Sequence, residues 1–121
     1  MKSKKFRVDV YDWFVGFVEV ESKKDCKKII HILKRFGVEK NVINEVRQNI
    51  KNGRENGGQH SYNRNIRESL ILIYPCSSKK DRRGVIAHEK RHCEDVILQY
   101  FHIYDKEAAS CLAGYLSEKL I

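Results

Sequence analysis

Two histidines stand four positions apart in the segment HEKRH at residues 88–92, and a glutamate directly follows the first of them. On an α-helix, positions i and i+4 lie on the same face about 6 Å apart, so the rings of His88 and His92 can converge on one point. The segment therefore predicts a helix whose His88 and His92 side chains lie on one face. The rest of the fold has to leave that face accessible.

A helix over residues 81–101 is predicted around this segment. Its apolar residues recur at helical spacing and form one buried stripe, which His88 and His92 border. A short strand precedes the helix: the run ESLILIY, residues 68–74, is largely apolar, and Pro75 ends it. The predicted stripe consists of Val85, Ile86, Cys93, Val96, Ile97 and Tyr100.

The first half of the chain begins with a strand signal and continues with two helix signals. Residues 6–20 are mostly aromatic or β-branched and predict either one bent strand or a hairpin. Residues 22–37 then show helical spacing, with Ser22 as the N-cap and Gly37 as the stop. Residues 38–50 predict a second, short helix.

Two segments complete the predicted layout. The stretch KNGRENGGQHSYNRN, residues 51–65, contains three glycines and four asparagines, so we expect an exposed, mobile loop. Asp105 is the expected N-cap of a last helix, KEAASCLAGYLSEKLI, whose small residues allow it to lie close to the motif helix. Its inward residues are Ala108, Leu112, Tyr115, Leu116 and Leu120.

Composition limits these elements to one domain. The chain has 121 residues, of which 41% are apolar, which suffices for one modest core. We expect a single α+β domain over residues 1–121, with a small N-terminal β element and the motif helix packed on the C-terminal helix. The longest apolar run, residues 13–18, is far below the ~20 needed to span a bilayer, and Asp9 and Asp12 interrupt any signal-peptide core. A cytoplasmic protein without membrane contact is expected.

Charge and cysteine content indicate little about chemistry. The formal net charge is +8, and residues 1–60 hold 14 Lys/Arg against 8 Asp/Glu, which favours acidic partners, including nucleic acid. The cysteines contain no C-x-x-C pair, so reduced thiols are favoured over a zinc knuckle or a disulfide framework. They are Cys26, Cys76, Cys93 and Cys111.

The segment at residues 88–92 is an H-E-x-x-H arrangement, which predicts a metal site. His88 and His92 can bind zinc at about 2.0 to 2.1 Å, and Glu89 can hydrogen-bond a water as a general base. The competing interpretation is a solvated helix face with ordinary i,i+4 pairs such as Lys90 with Glu94. Helical periodicity and a downstream acid favour the metal site.

Zinc in such a site needs a third protein ligand. Glu107 is the first choice, because an antiparallel helix after the turn HIYD brings its first turn back toward the motif histidines. His102 and Asp105 in that turn are alternatives, whereas Asp95 lies one turn along the motif helix and points farther up it.

Five residues have open roles. His31 falls in a core-facing helix pattern and is expected to be packed or half-exposed, while His60 lies in the expected loop and can approach a site. No residue stands clearly in the place of a transition-state donor; Tyr104, Tyr115 and His102 are candidates.

The run HEKRHCEDVI followed by DKEAASCLAGYL resembles the small zincin-like proteins of phages and other mobile elements, which pair an H-E-x-x-H helix with a later E-A-x-x-x-L segment. More remotely, it is similar to repressor-cleaving peptidases of such elements, which share this Glu-zincin pattern. The resemblance covers residues 68–120. It implies a minimal zincin fold, zinc held by His88, His92 and Glu107, and Glu89 as base. The two basic residues inside the motif depart from the usual small apolar ones.

These features favour zinc-dependent hydrolysis of peptide bonds in a peptide or protein substrate, which the strand SLILIY could hold by edge pairing. One other function is a metal-binding or morphogenesis protein of a mobile element that does not turn over substrate. Another is a basic nucleic-acid-associated module with a structural zinc, whose lysines bind phosphate. Those lysines are Lys23, Lys24, Lys27 and Lys28. Iron or manganese could occupy the same His/His/Glu set.

Overall fold

The computed structural model describes all 121 residues and contains four strands and four α-helices, which confirms the expected α+β class. A single 3-10 turn, Lys23–Asp25, leads into the first α-helix. In chain order the elements are β1 (Lys2–Val8), β2 (Trp13–Glu19), α1 (Cys26–Phe36), α2 (Lys40–Lys51), β3 (Gly58–Asn63), β4 (Glu68–Ile73), α3 (Lys79–Tyr100) and α4 (Lys106–Leu120).

The strands form one sheet in the order β1-β2-β4-β3. The N-terminal β element is a hairpin, since β1 and β2 pair antiparallel with Phe6 opposite Val15. Strand β2 then pairs parallel with β4, and β4 pairs antiparallel with β3. Because β4 has a partner on both sides, the expectation that SLILIY offers a free edge is wrong. The sheet edges are β1 and β3.

Helices cover both faces of this sheet and create two cores. On β4, Ile71 and Ile73 belong to the core under α3 and α4, whereas Leu70 and Leu72 belong to the core under α1 and α2. A strand buried on both faces needs a continuous apolar run rather than an alternating one, which accounts for the sequence of β4. The histidine-bearing helix α3 therefore lies on the opposite face of the sheet from α1 and α2.

The expected mobile loop at residues 51–65 is largely wrong, because it contains strand β3. This strand is half-buried and mostly polar, and it pairs on one side only. Such an edge strand lacks the apolar run on which strand prediction depends. The error matters, because β3 brings His60 onto the sheet beside α3.

The helix ends follow the predicted capping signals. The Asp25 carboxylate accepts the backbone N–H groups of Glu21 and Ser22 at 2.9 and 3.1 Å, and the Asp105 side chain accepts the N–H of Glu107 at 3.1 Å.

All four cysteines are free, and Cys93 is buried in the core as expected. None of the helices combines the length and apolar character needed to cross a bilayer.

Gly37 ends α1 in the left-handed region, at φ 91°, where its N–H donates to the carbonyls of Leu33 and Lys34. We expect Gly37→Ala to lower the free energy of unfolding by about 1 kcal/mol, because a Cβ is disfavoured at this φ. Gly114→Ala is the matched control: it lies inside α4 in open space and should raise stability by roughly 0.5 to 1 kcal/mol. Urea unfolding followed by circular dichroism measures both. If both substitutions changed the free energy of unfolding in the same direction, that result would contradict the assigned end of α1.

Candidate metal centre

His88 and His92 converge at the surface of α3. Both side chains are exposed, and their Nε2 atoms are 3.2 Å apart. The ring planes are nearly perpendicular, at 84°, with centroids 4.8 Å apart. The predicted juxtaposition of these two histidines is therefore present in the structure.

The distance between the two Nε2 atoms matches what a shared metal ion requires. Two nitrogens bound at about 2.0 to 2.1 Å to one tetrahedral ion are separated by about 3.3 to 3.4 Å. The observed 3.2 Å is within 0.2 Å of that value. A hydrogen bond between the rings, with one Nε2–H donating to the other Nε2, would give a similar distance. The pair thus fits a metal, and metal binding is the property to test.

Glu89 is buried rather than exposed beside the histidines. Only 5% of its surface is accessible, although it directly follows His88 in the chain. Burial raises the pKa of its carboxyl group, and His88 and His92 partly oppose this shift. A carboxyl group with a raised pKa, next to an open cleft, suits a group that accepts and returns protons.

Gly58 at the start of β3 makes room for Glu89. A Cβ at this position would lie 3.0 Å from Glu89 Cγ and from Val85 Cγ1, and 2.8 Å from the Leu72 carbonyl oxygen. Only glycine allows α3 to approach the sheet edge this closely. The packing of Gly58 under α3 therefore determines where the Glu89 carboxylate lies.

His60 of β3 is brought to the same place. It points to the α3 side of the sheet, and its ring stacks beside that of His92 with centroids 6.5 Å apart. Its Nε2 is 3.0 Å from Ser69 Oγ, which also accepts the indole N–H of Trp13 at 3.1 Å. Burial, with a smaller contribution from His92, lowers the pKa of His60 to about 4. A neutral imidazole, held from below by a buried serine, therefore borders the site.

An open cleft of about 620 Å³ lies between α3 and β3. His60, His88, Glu89 and His92 line it together with Asp95, whose carboxylate pairs with Arg91 at 3.4 Å. A second opening, next to Arg54 and Gly57, is also lined by His88 and Glu89. The Glu89 carboxylate therefore lies where two solvent-accessible openings meet.

Glu107 is not brought to the histidines. It is exposed in the first turn of α4, and no three His, Cys, Asp or Glu side chains form a metal-binding group in the structure. Helix α4 contacts α3 through Lys90, whose Nζ donates to the Ala113 carbonyl oxygen. Lys90 lies two residues after His88, which is about 200° around the helix. Glu107 as a zinc ligand therefore stays a prediction.

The other candidates also lie outside the cleft. His102 and Asp105 are exposed in the turn after α3, and Tyr104 is 85% exposed. Tyr115 donates its hydroxyl to the Arg7 carbonyl oxygen at 2.8 Å, which ties α4 to β1. His31 is exposed on α1 rather than packed.

The sequence interpretation missed Gly58 and Ser69 and gave His60 little weight. The available signal was the alternation in GQHSYN, which places residues 58, 60 and 62 on one face of a strand. Comparison of the chain with protein-family models, with curated proteins and with solved structures found no match.

The His60 environment predicts a pH-dependent stability for the metal-free protein. Because the folded state keeps the ring neutral down to about pH 4, the unfolded chain binds an extra proton between about pH 6.5 and 4. Stability is therefore complete above about pH 6.5 and falls as the pH drops toward 4, by at most about 3 kcal/mol. The measurement is urea unfolding across this range in the presence of a chelator.

His60→Gln is the matched variant for this prediction, because it keeps a polar group near Ser69 but cannot titrate. We expect a flatter decline of its unfolding free energy between pH 6.5 and 4. An unchanged decline would show that His60 is not held neutral.

Proposed function

We propose that this chain is a zinc-dependent metallopeptidase whose metal is held by His88 and His92 and whose general base is Glu89. The observation that carries the proposal is the convergence of the two Nε2 atoms at 3.2 Å beside a buried carboxyl group that borders solvent. A merely solvated helix face would not bury Glu89 or place His60 opposite the pair. The resemblance to small zincin-like proteins supports the same chemistry.

Each residue of the cleft has a separate role in the proposed peptide hydrolysis. A bound zinc ion supplies Lewis-acid chemistry, polarising a carbonyl and lowering the pKa of water. Glu89 accepts the proton of the attacking water and returns it to the leaving amine. Burial, which raises the pKa of Glu89, favours that return. His60, neutral and held by Ser69, borders the same cleft without adding charge.

Strand β3 provides the place for a peptide substrate. Its outer edge pairs with no other strand, and its inner face forms one wall of the cleft. An extended peptide can add to such an edge through main-chain hydrogen bonds. Such binding places the peptide alongside His88 and Glu89. We therefore assign substrate binding to β3 instead of SLILIY in β4, because β4 lies inside the sheet.

Two carboxylates are candidates for the third zinc ligand. The family resemblance implies Glu107, which lies on α4 away from the cleft. The cleft itself contains Asp95, three residues after His92 and therefore on the same face of α3. Because helical side chains lean toward the N-terminus, Asp95 leans toward His92. The two candidates are separable by mutation.

Zinc affinity, measured by competition with a chromophoric chelator, tests the ligand set. We expect His88→Ala and His92→Ala each to weaken binding by more than about 100-fold, since loss of an outer-shell partner alone costs 10 to 100-fold. A loss in Asp95→Asn would identify Asp95 as third ligand, and a loss in Glu107→Gln would identify Glu107. Unchanged affinity in both histidine variants would refute the site.

Activity tests the role of Glu89. Zinc-loaded protein should cleave a fluorescein-labelled casein, and Glu89→Gln should lower the rate by about 10² to 10⁴-fold while zinc affinity changes little. Glu118→Gln, on an exposed part of α4, is the matched control and should keep full activity. Retained cleavage in Glu89→Gln would exclude this mechanism. Tight zinc binding without any cleavage would instead favour the metal-binding protein that does not turn over substrate.

A further inference from the structure

A second surface, on the other side of the sheet from the histidines, carries an uncompensated positive charge. Helices α1 and α2 flank a groove of about 490 Å³. Its floor is formed by Cys26 and Ile30, and its polar lining contains no acidic residue. That lining consists of Lys27, His31, Lys34, Arg47 and Lys51.

The lysine and arginine side chains of the groove have no ionic partners. Elsewhere, Arg82 pairs with Glu19 and Lys90 with Glu94, both at 2.6 Å. None of the lysine and arginine side chains of the groove has a carboxylate within 4.0 Å. Arg47 is oriented by a neutral group, donating to Asn44 Oδ1 at 2.9 Å. The groove therefore keeps its full positive charge for an external anion.

The arrangement of the charges fits an extended polyanion. Lys27, His31 and Lys34 are spaced i, i+4 and i+7, so they form a row about 10 Å long on one face of α1. Arg47 and Lys51, spaced i and i+4, form a second row on α2. Each strand of duplex DNA carries about one charge per 3.4 Å of the helix axis, so a row of this length can face about three phosphates of one strand.

The groove favours a duplex over a single strand. No phenylalanine, tyrosine or tryptophan lines it, and single-strand binding depends on aromatic rings on which bases stack. Its polar lining is almost entirely cationic, and such side chains bind phosphates without reading sequence. We propose that the α1–α2 groove binds the phosphate backbone of double-stranded nucleic acid without sequence preference. This site is independent of the proposed peptidase cleft.

The test measures fluorescence anisotropy of a labelled 20-base-pair DNA duplex with the full chain between 50 and 200 mM salt. With four permanent charges engaged, the slope of log K against log salt should be about −3.6. A duplex RNA of the same length should bind through the same groove, while a single strand of the same length should bind more weakly. Tighter binding of the single strand would contradict the proposal.

The decisive variant is the triple substitution Lys27→Gln, Lys34→Gln and Lys51→Gln, all at exposed helix positions. We expect its duplex affinity at 100 mM salt to fall at least about tenfold and its salt slope to become shallower by about 2.7. The matched control removes three charges elsewhere and should change affinity less than about threefold. It carries Lys2→Gln, Lys79→Gln and Lys106→Gln.

Three further outcomes would overturn the proposal. Equal losses in the two triple variants would mean that only net charge matters, and no loss in either would mean that the groove is not the site. Binding to vesicles containing phosphatidylserine, with no binding to duplex, would assign the groove to a membrane surface. Because His88→Ala removes the proposed zinc ligand on the other face, it should leave duplex binding unchanged, so failure of one proposal is distinguishable from failure of the other.

Discussion

The close approach of α3 to the edge strand β3 is the contact on which the candidate site depends. A side chain at position 58 would contact Glu89 and Val85. Because Gly58 has none, α3 can pack close to the strand. That approach buries Glu89 while the histidines one residue before and three residues after it stay exposed. It also brings His60, which is anchored through Ser69 to Trp13 in the core, to the rim of the same cleft. His60, His88, Glu89 and His92 thus come from one helix and one strand.

The two faces of the sheet carry different chemistry. Strands β2 and β4 are buried between both helical layers and separate the cleft of α3 from the cationic groove of α1 and α2. Helix α4 packs on the same side of the sheet as α3. Its residues Leu112, Leu116 and Leu120 fill that core, and Tyr115 hydrogen-bonds to β1. An acidic partner in the groove would therefore leave the cleft open to a substrate.

The sequence predicted the helices well because their signals are local. The capping residues Ser22 and Asp105, the stop at Gly37 and the stripe of α3 are all visible within a few neighbouring residues. The His88 and His92 pair follows from the same helical spacing. Long-range relations were predicted poorly: β3 is polar because it lies at an edge, and the position of α4 depends on which flank of α3 offers apolar surface. Sequence spacing alone does not determine that flank, so Glu107 as a ligand stays a prediction.

The most direct test of the account is a crystal structure of the zinc-loaded protein, with data collected at the zinc absorption edge. We expect one anomalous peak between α3 and β3, about 2.0 to 2.1 Å from Nε2 of both His88 and His92. Glu89 should lie outside the ligand shell, and the third ligand would be visible in the same map. Two imidazoles hydrogen-bonded to each other in the presence of excess zinc, with no peak between them, would contradict the account.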